Sequence, residues 1–349
     1  MTQKLVLAGD TNLVGVFEPG VPFARLAEEF HAADFTFANL ECCLYEPPRD
    51  AGGTATQDGY FAPPGPAGEA LKLAGIQAVG IGNNVVYGDD AILSTVAGLD
   101  ALGILHTGAG RNAAAARAPV ILERNGLRVG FLQRTAVYWP SNHEAKRDLP
   151  GVAAMRGNTA YQLPLHKTRP GMTACNRPGL PPVIVTWIDP PYLKSFREEV
   201  AALRAQCDVL VASCHWGWKQ DVLEYMTEWA HAAIDAGADI VLGHGPHYIL
   251  PVEVYAGKPV FYGLGNFSFN VRGDGSKAGD WLGTFARVEL EDKALKRATL
   301  QFIRHDERNL TVPRTPAQEA AGLQDLVERS AALGARLTPR GDEIEIELN

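Results

Sequence analysis

The chain is poor in the features that would assign it quickly. Among its 349 residues there are only five cysteines, and none forms a CxxC pair. An odd cysteine number, with Cys42 and Cys43 adjacent, excludes a disulfide-stapled scaffold and points to reduced thiols in the cytoplasm. No apolar run reaches the roughly 18 residues that a membrane-spanning helix needs, so membrane insertion is not expected. Met1-Thr2-Gln3-Lys4 runs straight into the first strand signal, without the basic-then-apolar pattern of a secretory signal. Lys/Arg runs are also missing, and the net charge is −8, so nucleic acid is not an expected partner. Internal repeats and low-complexity segments are absent as well. What remains is a chain with 46% hydrophobic residues, ample for a large core.

That core reads as α/β. Apolar runs at Leu5–Gly9, Phe35–Ala38, Ala78–Gly82, Val209–Ser213 and Ile240–Gly243 are strand-like, and helical periodicity separates several of them. Helices are expected at Phe23–His31, Gly68–Ala74, Asp89–Leu102, Tyr192–Gln206, 221–236 and 315–334. Hairpins are expected around Arg124-Asn125-Gly126 and Ala256-Gly257-Lys258. Residues 138–192 read as irregular, a long insertion of the kind that serves as a lid. The whole of 1–349 is expected to form one domain, two packed sheets with helices outside.

Potential ligands sit where the strand-like runs end. Asp10 closes the first run, Asn39 and Glu41 the second, Asn83 and Asn84 the third, His215 the fourth, and His244 and His247 the last. Active sites of α/β sheets gather outside the carboxyl ends of their strands. Carboxylate, amide and imidazole together suit one or two divalent ions such as Mn²⁺, Fe²⁺ or Zn²⁺, with Ca²⁺ a further candidate. Asp10, Glu41, Asn84, His215, His244 and His247 form the candidate ligand set. Asp10, His244 and His247 are also candidates for acid–base work. Taken alone, Asn83-Asn84 is as consistent with turn chemistry. Arg134 closes an apolar strand, where it either clamps a substrate carboxylate or forms a structural salt bridge. Tyr60, Phe61, Tyr138, Trp139 and Trp218 can wall a substrate pocket, and Gly265-Asn266-Phe267 can supply an amide contact. Cys214 lacks a nearby base and reads as a small buried residue. His31, His106, His143, His166, His231 and His305 carry structural readings.

The segments Gly9-Asp10-Thr11-Asn12-Leu13, Asn39-Leu40-Glu41, Gly82-Asn83-Asn84, His215-Trp216-Gly217 and Gly243-His244-Gly245-Pro246-His247 follow one another in that order. Pro251–Tyr255 and Phe261–Phe267 complete the set, which resembles the CapA family, named for poly-γ-glutamate capsule synthesis. The resemblance covers Leu5 to about Phe269. It implies the calcineurin-like metallophosphoesterase fold, a four-layer α/β/β/α sandwich with two metal ions at the strand rim. By the same resemblance Asp10 is the first metal carboxylate, and Asn12 stands where phosphoesterases place a His. Glu41 resembles the bridging carboxylate, Asn84 the amide ligand, His215 the mid-chain His, and the 244–247 turn the final His pair.

Two positions depart from the pattern. Val85 replaces a His that protonates the leaving oxygen in phosphoesterases, which argues against phosphomonoester hydrolysis. Gly245 replaces the first His of the final pair, and His244 appears one position earlier. The family includes a metal-dependent epimerase of a lasso-peptide precursor, so Cα epimerisation of a peptide is the first expected reaction. The alternatives are amide or γ-glutamyl hydrolysis on a poly-glutamyl-like substrate, and a non-catalytic binding role.

Overall fold

The computed structural model describes residues 2–141, 143–162, 181–272 and 274–348, and the backbone alone of 165–166 and 175–176. Two large sheets dominate. One has ten strands, with a path running Leu337–Arg340, Glu343–Ile346, Ala294–His305, Gly283–Glu291, Gln3–Asn12, Phe35–Leu40, Ala78–Gly80 and Leu105–Thr107. Asn266–Phe269 pairs alongside Gln3–Asn12, and Thr311–Arg314 alongside Ala294–His305. The other has six, in the order Val252–Tyr255, Lys258–Phe261, Ile240–His244, Val209–His215, Leu127–Thr135 and Val120–Arg124. The chain is thus a mixed α/β protein with several sheets.

Strand periodicity explains how the core divides. Leu5, Leu7, Phe35 and Phe37 of the larger sheet share one apolar cluster with Val129, Phe131, Val209 and Val211 of the smaller sheet. Phe37 stacks on Phe131 at 4.8 Å between centroids. The alternate residues Val6, Ala8 and Ala38 face a second cluster with Phe30, Leu71 and Leu99 of the helices Ala27–Ala32, Pro64–Ala74 and Asp89–Leu102. Leu210, Ala212 and Val241 face a third, with Phe196 and Trp229 of the helices Pro190–Arg204 and Glu224–Asp235.

Local chemistry accounts for the boundaries. Gly103 ends helix Asp89–Leu102 in the left-handed conformation at φ 71°, the position that glycine fills without a Cβ penalty. Both expected hairpins form, and their central pairs, Asn125-Gly126 and Ala256-Gly257, all have positive φ, as a type I′ turn requires. The expected helix at Phe23–His31 shortens to Ala27–Ala32, because Phe23–Leu26 closes as a separate turn. The stretch 138–192 is not irregular throughout. Gly157–Gln162 and Val183–Ile188 pair as an antiparallel ribbon; the expected cover over the rim falls largely outside the described residues. No helix among the described residues is long and apolar enough to cross a membrane.

Candidate metal centre

The parallel strands bring their carboxyl ends to a common rim, and the facing side chains turn polar there. After Val209 and Val211, the period of two places Ser213 and His215 on the inter-sheet face. After Val129 and Phe131 come Gln133 and Thr135, and after Phe35 and Phe37 comes Asn39. Strand Gln3–Asn12 needs a bulge to conform, since Leu7 pairs with Phe37 but Asp10 with Asn39. The extra residue flips the parity of the strand, so Asp10 follows Leu5 and Leu7 onto the inter-sheet face. Gly9 permits this: a Cβ there would lie 2.2 Å from the Gly265 carbonyl oxygen.

Five ligand-type side chains converge. His247 Nδ1 lies 3.3 Å from Asp10 Oδ2, and His247 Nε2 lies 3.6 Å from Glu41 Oε1. His215 Nε2 is 3.7 Å from the same Glu41 oxygen, and His244 Nδ1 is 3.4 Å from Asp10 Oδ1. Asp10, Glu41 and His247 form a group whose ligand atoms all lie within 4.8 Å of one another. All but His247 are buried; its side chain is 39% exposed.

Neighbours fix the orientation of these groups. Asn39 Nδ2 donates to Asp10 Oδ1 at 2.9 Å and to Glu41 Oε2 at 3.4 Å. Asn39 Oδ1 accepts from Gln133 Nε2 at 3.0 Å and from Asn83 Nδ2 at 3.3 Å. Thr135 Oγ1 donates its one proton to the Val137 carbonyl oxygen, so it accepts from His215 Nδ1 at 3.0 Å. That leaves His215 Nε2 bare. His247 Nδ1 lies 3.0 Å from Asn266 Oδ1, and its Nε2 is aimed at Glu41.

Electrostatics follow from the crowding. Burial would raise the Asp10 pKa, but His244 and His247 hold its carboxyl far below the usual carboxylate range. Burial opposes charge on His247 too, yet Glu41, Asp10 and Asn266 outweigh it and push its pKa up to about 10.

The arrangement fits a cation. The separations of 3.6 and 3.7 Å from Glu41 Oε1 to His247 Nε2 and His215 Nε2 are long for hydrogen bonds. They match the edges of a coordination shell whose bonds are about 2.1 Å. His215 Nε2 and both ring nitrogens of His244 are buried with no hydrogen-bond partner, a state costing roughly 1–3 kcal/mol per group unless a ligand relieves it.

A family model described as bacterial capsule synthesis protein PGA_cap matches residues 4–271. The chain belongs to this CapA family. It is 38% identical over 97 residues to the PGA biosynthesis protein CapA of Bacillus subtilis, which covers 27% of this chain and 23% of that one. It is 28% identical over 307 residues to the uncharacterised protein y4sH of Sinorhizobium fredii, covering 76% and 66%. A probable polyglutamine synthesis accessory protein of Mycobacterium tuberculosis is 29% identical over 238 residues, covering 64% and 55%. The matches thus span less than two thirds of these relatives' own lengths. A hypothetical protein from Thermus thermophilus, known from a crystal structure, superposes with a TM-score of 0.50 at 13% identity, covering 88% of this chain and all of that one. It shares the fold.

The remaining candidate residues of this CapA-family chain separate clearly. Asn83 is committed to the loop: its amide donates to the Leu40 carbonyl at 2.8 Å and accepts from Val85 and Val86 N–H groups. Asn84 lies beyond it on the wall of a neighbouring cavity, as does Tyr60. Asn12 is buried; its Oδ1 accepts from Val14 N, while Nδ2 has no partner.

Arg134 corrects the substrate-clamp expectation. It is buried on the opposite face of its strand, where Nε and Nη2 bond Glu199 at 3.1 and 2.6 Å. The even parity of residue 134 against Phe131 and Gln133 signals that direction. Trp218 lies apart from the cavity that holds Tyr60 and Asn84, 64% exposed beneath Lys219. Trp216 is core, stacked on Tyr262. Cys42, Cys43, Cys207 and Cys214 are free and buried, and burial pushes the Cys214 thiol well above its ordinary pKa. Gln133 and Thr135 escaped the sequence reading. Their signal is the continued period of two beyond Phe131.

Proposed function

We propose that the chain is a metal-dependent acid–base enzyme that epimerises a peptide residue at Cα. The observation that carries this reading is the convergence of Asp10, Glu41 and His247, whose ligand atoms all lie within 4.8 Å of one another, with His215 Nε2 3.7 Å from Glu41. A bound divalent ion there supplies Lewis-acid polarisation of a substrate carbonyl or carboxylate, which acidifies the adjacent C–H. Asp10, Glu41 and His247, with His215 Nε2 beside Glu41, are the residues that hold it. Asn39, Thr135 and Asn266 orient those side chains. His244 is the imidazole left outside the triad, with its Nδ1 3.4 Å from Asp10 Oδ1. His244 and Asp10 are the two acid–base groups, one of which would take the Cα proton from one face while the other returns a proton to the opposite face. Val85, an apolar residue where the resemblance places a protonating His, leaves phosphomonoester cleavage without its acid. The three apolar clusters, helix–sheet, sheet–sheet and sheet–helix, support the four-layer α/β/β/α sandwich of metallophosphoesterases.

The names of the relatives favour a second reading. Capsule and polyglutamine synthesis imply glutamyl amide bonds, and the same site can activate water for their hydrolysis. Incubation of the Mn²⁺-loaded protein with peptides in D₂O separates the two. Epimerisation leaves the peptide intact and introduces one deuteron at a single Cα; hydrolysis yields two products that together contain an added water. His244→Gln should abolish exchange while metal still binds. Absence of both exchange and cleavage across a broad peptide panel would sink the catalytic reading.

A further inference from the structure

A cavity of about 960 Å³ opens beside the cluster. Its walls are largely aromatic: Tyr60, Phe61, Tyr87 and Trp139, with Val85 among them. Two chains of contacts link its wall to the metal centre. Asn84 on its wall follows Asn83, whose amide bonds Asn39, the residue that holds both carboxylates. Tyr60 meets Phe269 edge-on at 6.3 Å, and Phe269 in turn lies 4.9 Å from the His247 ring. The walls are braced. Trp139 Nε1 donates to the Asn84 carbonyl at 3.0 Å, and Tyr87 packs edge-on against His143 at 5.0 Å.

Among the described residues the charged groups on this wall are Arg272, Asp58 and Asp274, one cation against two carboxylates. A γ-glutamyl chain carries a free carboxylate on every residue and would meet net like charge there. An uncharged bulky side chain would instead find four rings, with the contact area and geometry that aromatic walls supply.

We propose that this cavity is the subsite for a bulky apolar or aromatic side chain of a peptide substrate, and that it selects against polyanionic glutamyl chains. The proposal rests on the peptide reading of the metal centre and deepens it. Val85 has a second meaning in this light: where the resemblance places a His, the chain puts an apolar wall.

The test is calorimetric titration of the full chain, in the presence of Mn²⁺, with capped tripeptide amides. These differ only in a central Trp, Leu, Ala or Glu, and a γ-glutamyl oligomer completes the set. The Trp and Leu peptides should bind about tenfold more tightly than the Ala peptide, and the Glu peptide and oligomer more weakly still. Tyr87→Ala should weaken the Trp peptide about tenfold and leave the Ala peptide unchanged. Trp139→Phe, which keeps a ring but loses the bond to Asn84, should preserve the rank order.

The proposal fails if the oligomer or the Glu peptide binds as tightly as the Trp peptide, or if Tyr87→Ala changes nothing. Binding is read without turnover, so the two readings fail separately. A chain that binds the Trp peptide but exchanges no Cα proton overturns the reaction and keeps the subsite. Exchange with equal KM on Trp and Ala peptides does the reverse.

Discussion

Asn39 ties together the two carboxylates of the candidate centre. Its amide donates to Asp10 and Glu41 and accepts from Gln133 and Asn83. Asn39→Ala leaves two buried donors without their acceptor and two carboxylates free to turn. Denaturant unfolding should show a loss of about 2–3 kcal/mol, and metal titration a drop in affinity of roughly 10–100-fold. Arg134 should behave in the opposite sense. Its guanidinium bonds Glu199 and two backbone carbonyls, those of Gln133 and Arg117, on the face away from the centre. Arg134→Ala removes one of the two cations on Glu199, which keeps Arg117 and Ser195, and should cost about 1–3 kcal/mol. Its metal affinity, measured on the folded fraction, should stay at the parent value; a loss comparable to that of Asn39→Ala would return Arg134 to the site. Both residues were visible in sequence as strand-end polar groups. What separated them is parity, which can be counted from Phe131 but was not apparent from position along the chain alone.

At the scale of elements, the bulge at Ala8-Gly9 decides where Asp10 points. Only the partner register reveals it, and a single strand's sequence carries no register. Gly9→Ala would drive a methyl into the Gly265 carbonyl. The strand then shifts or the bulge is lost, at about 1–3 kcal/mol, and metal binding should fall far more than stability does. The ribbon of Gly157–Gln162 and Val183–Ile188 was illegible because about twenty residues separate its strands, far more than the roughly two to five of a hairpin loop that sequence patterns identify. The pair Trp139 and His143 carries a pH dependence. His143 Nδ1 accepts from Trp139 N, and Nε2 bonds the Val86 carbonyl, so only the neutral ring satisfies both. Burial lowers its pKa from 6.5 to about 4, with the Val86 carbonyl opposing. The depressed value means that the stabilisation is complete above about 6.5 and is lost as pH falls towards 4. It amounts to about 3 kcal/mol. The protection factor of the Trp139 amide, exchange corrected for its intrinsic pH dependence, should therefore fall between pH 6.5 and 4, and His143→Gln should flatten that profile.

For the whole molecule, the apolar runs, their carboxyl-end polar stations and both hairpins were legible because they are local consequences of period and turn chemistry. The pairing of the two sheets was not, since it depends on contacts such as Phe37 on Phe131, 94 positions apart by number. The same pairing has a thermodynamic consequence. Asp10 and Glu41 come from the ten-stranded sheet or the residue just after its strands, and His215 and His244 from the six-stranded sheet. An ion shared among them ties the sheets at the rim, while the sheet–sheet cluster ties them below. Neither sheet can then open without exposing the core face of the other, so the chain should unfold in one transition. A cation that binds only the folded state adds RT ln(1 + [L]/Kd), about 2.7 kcal/mol at a hundredfold excess over Kd. Calorimetry should thus show a single peak that Mn²⁺ moves upward as a unit and EDTA returns. Asp10→Asn should keep the peak single but abolish the shift. If Mn²⁺ instead split the transition, or moved the Asp10→Asn peak as far as the parent's, the shared site between the sheets would be refuted.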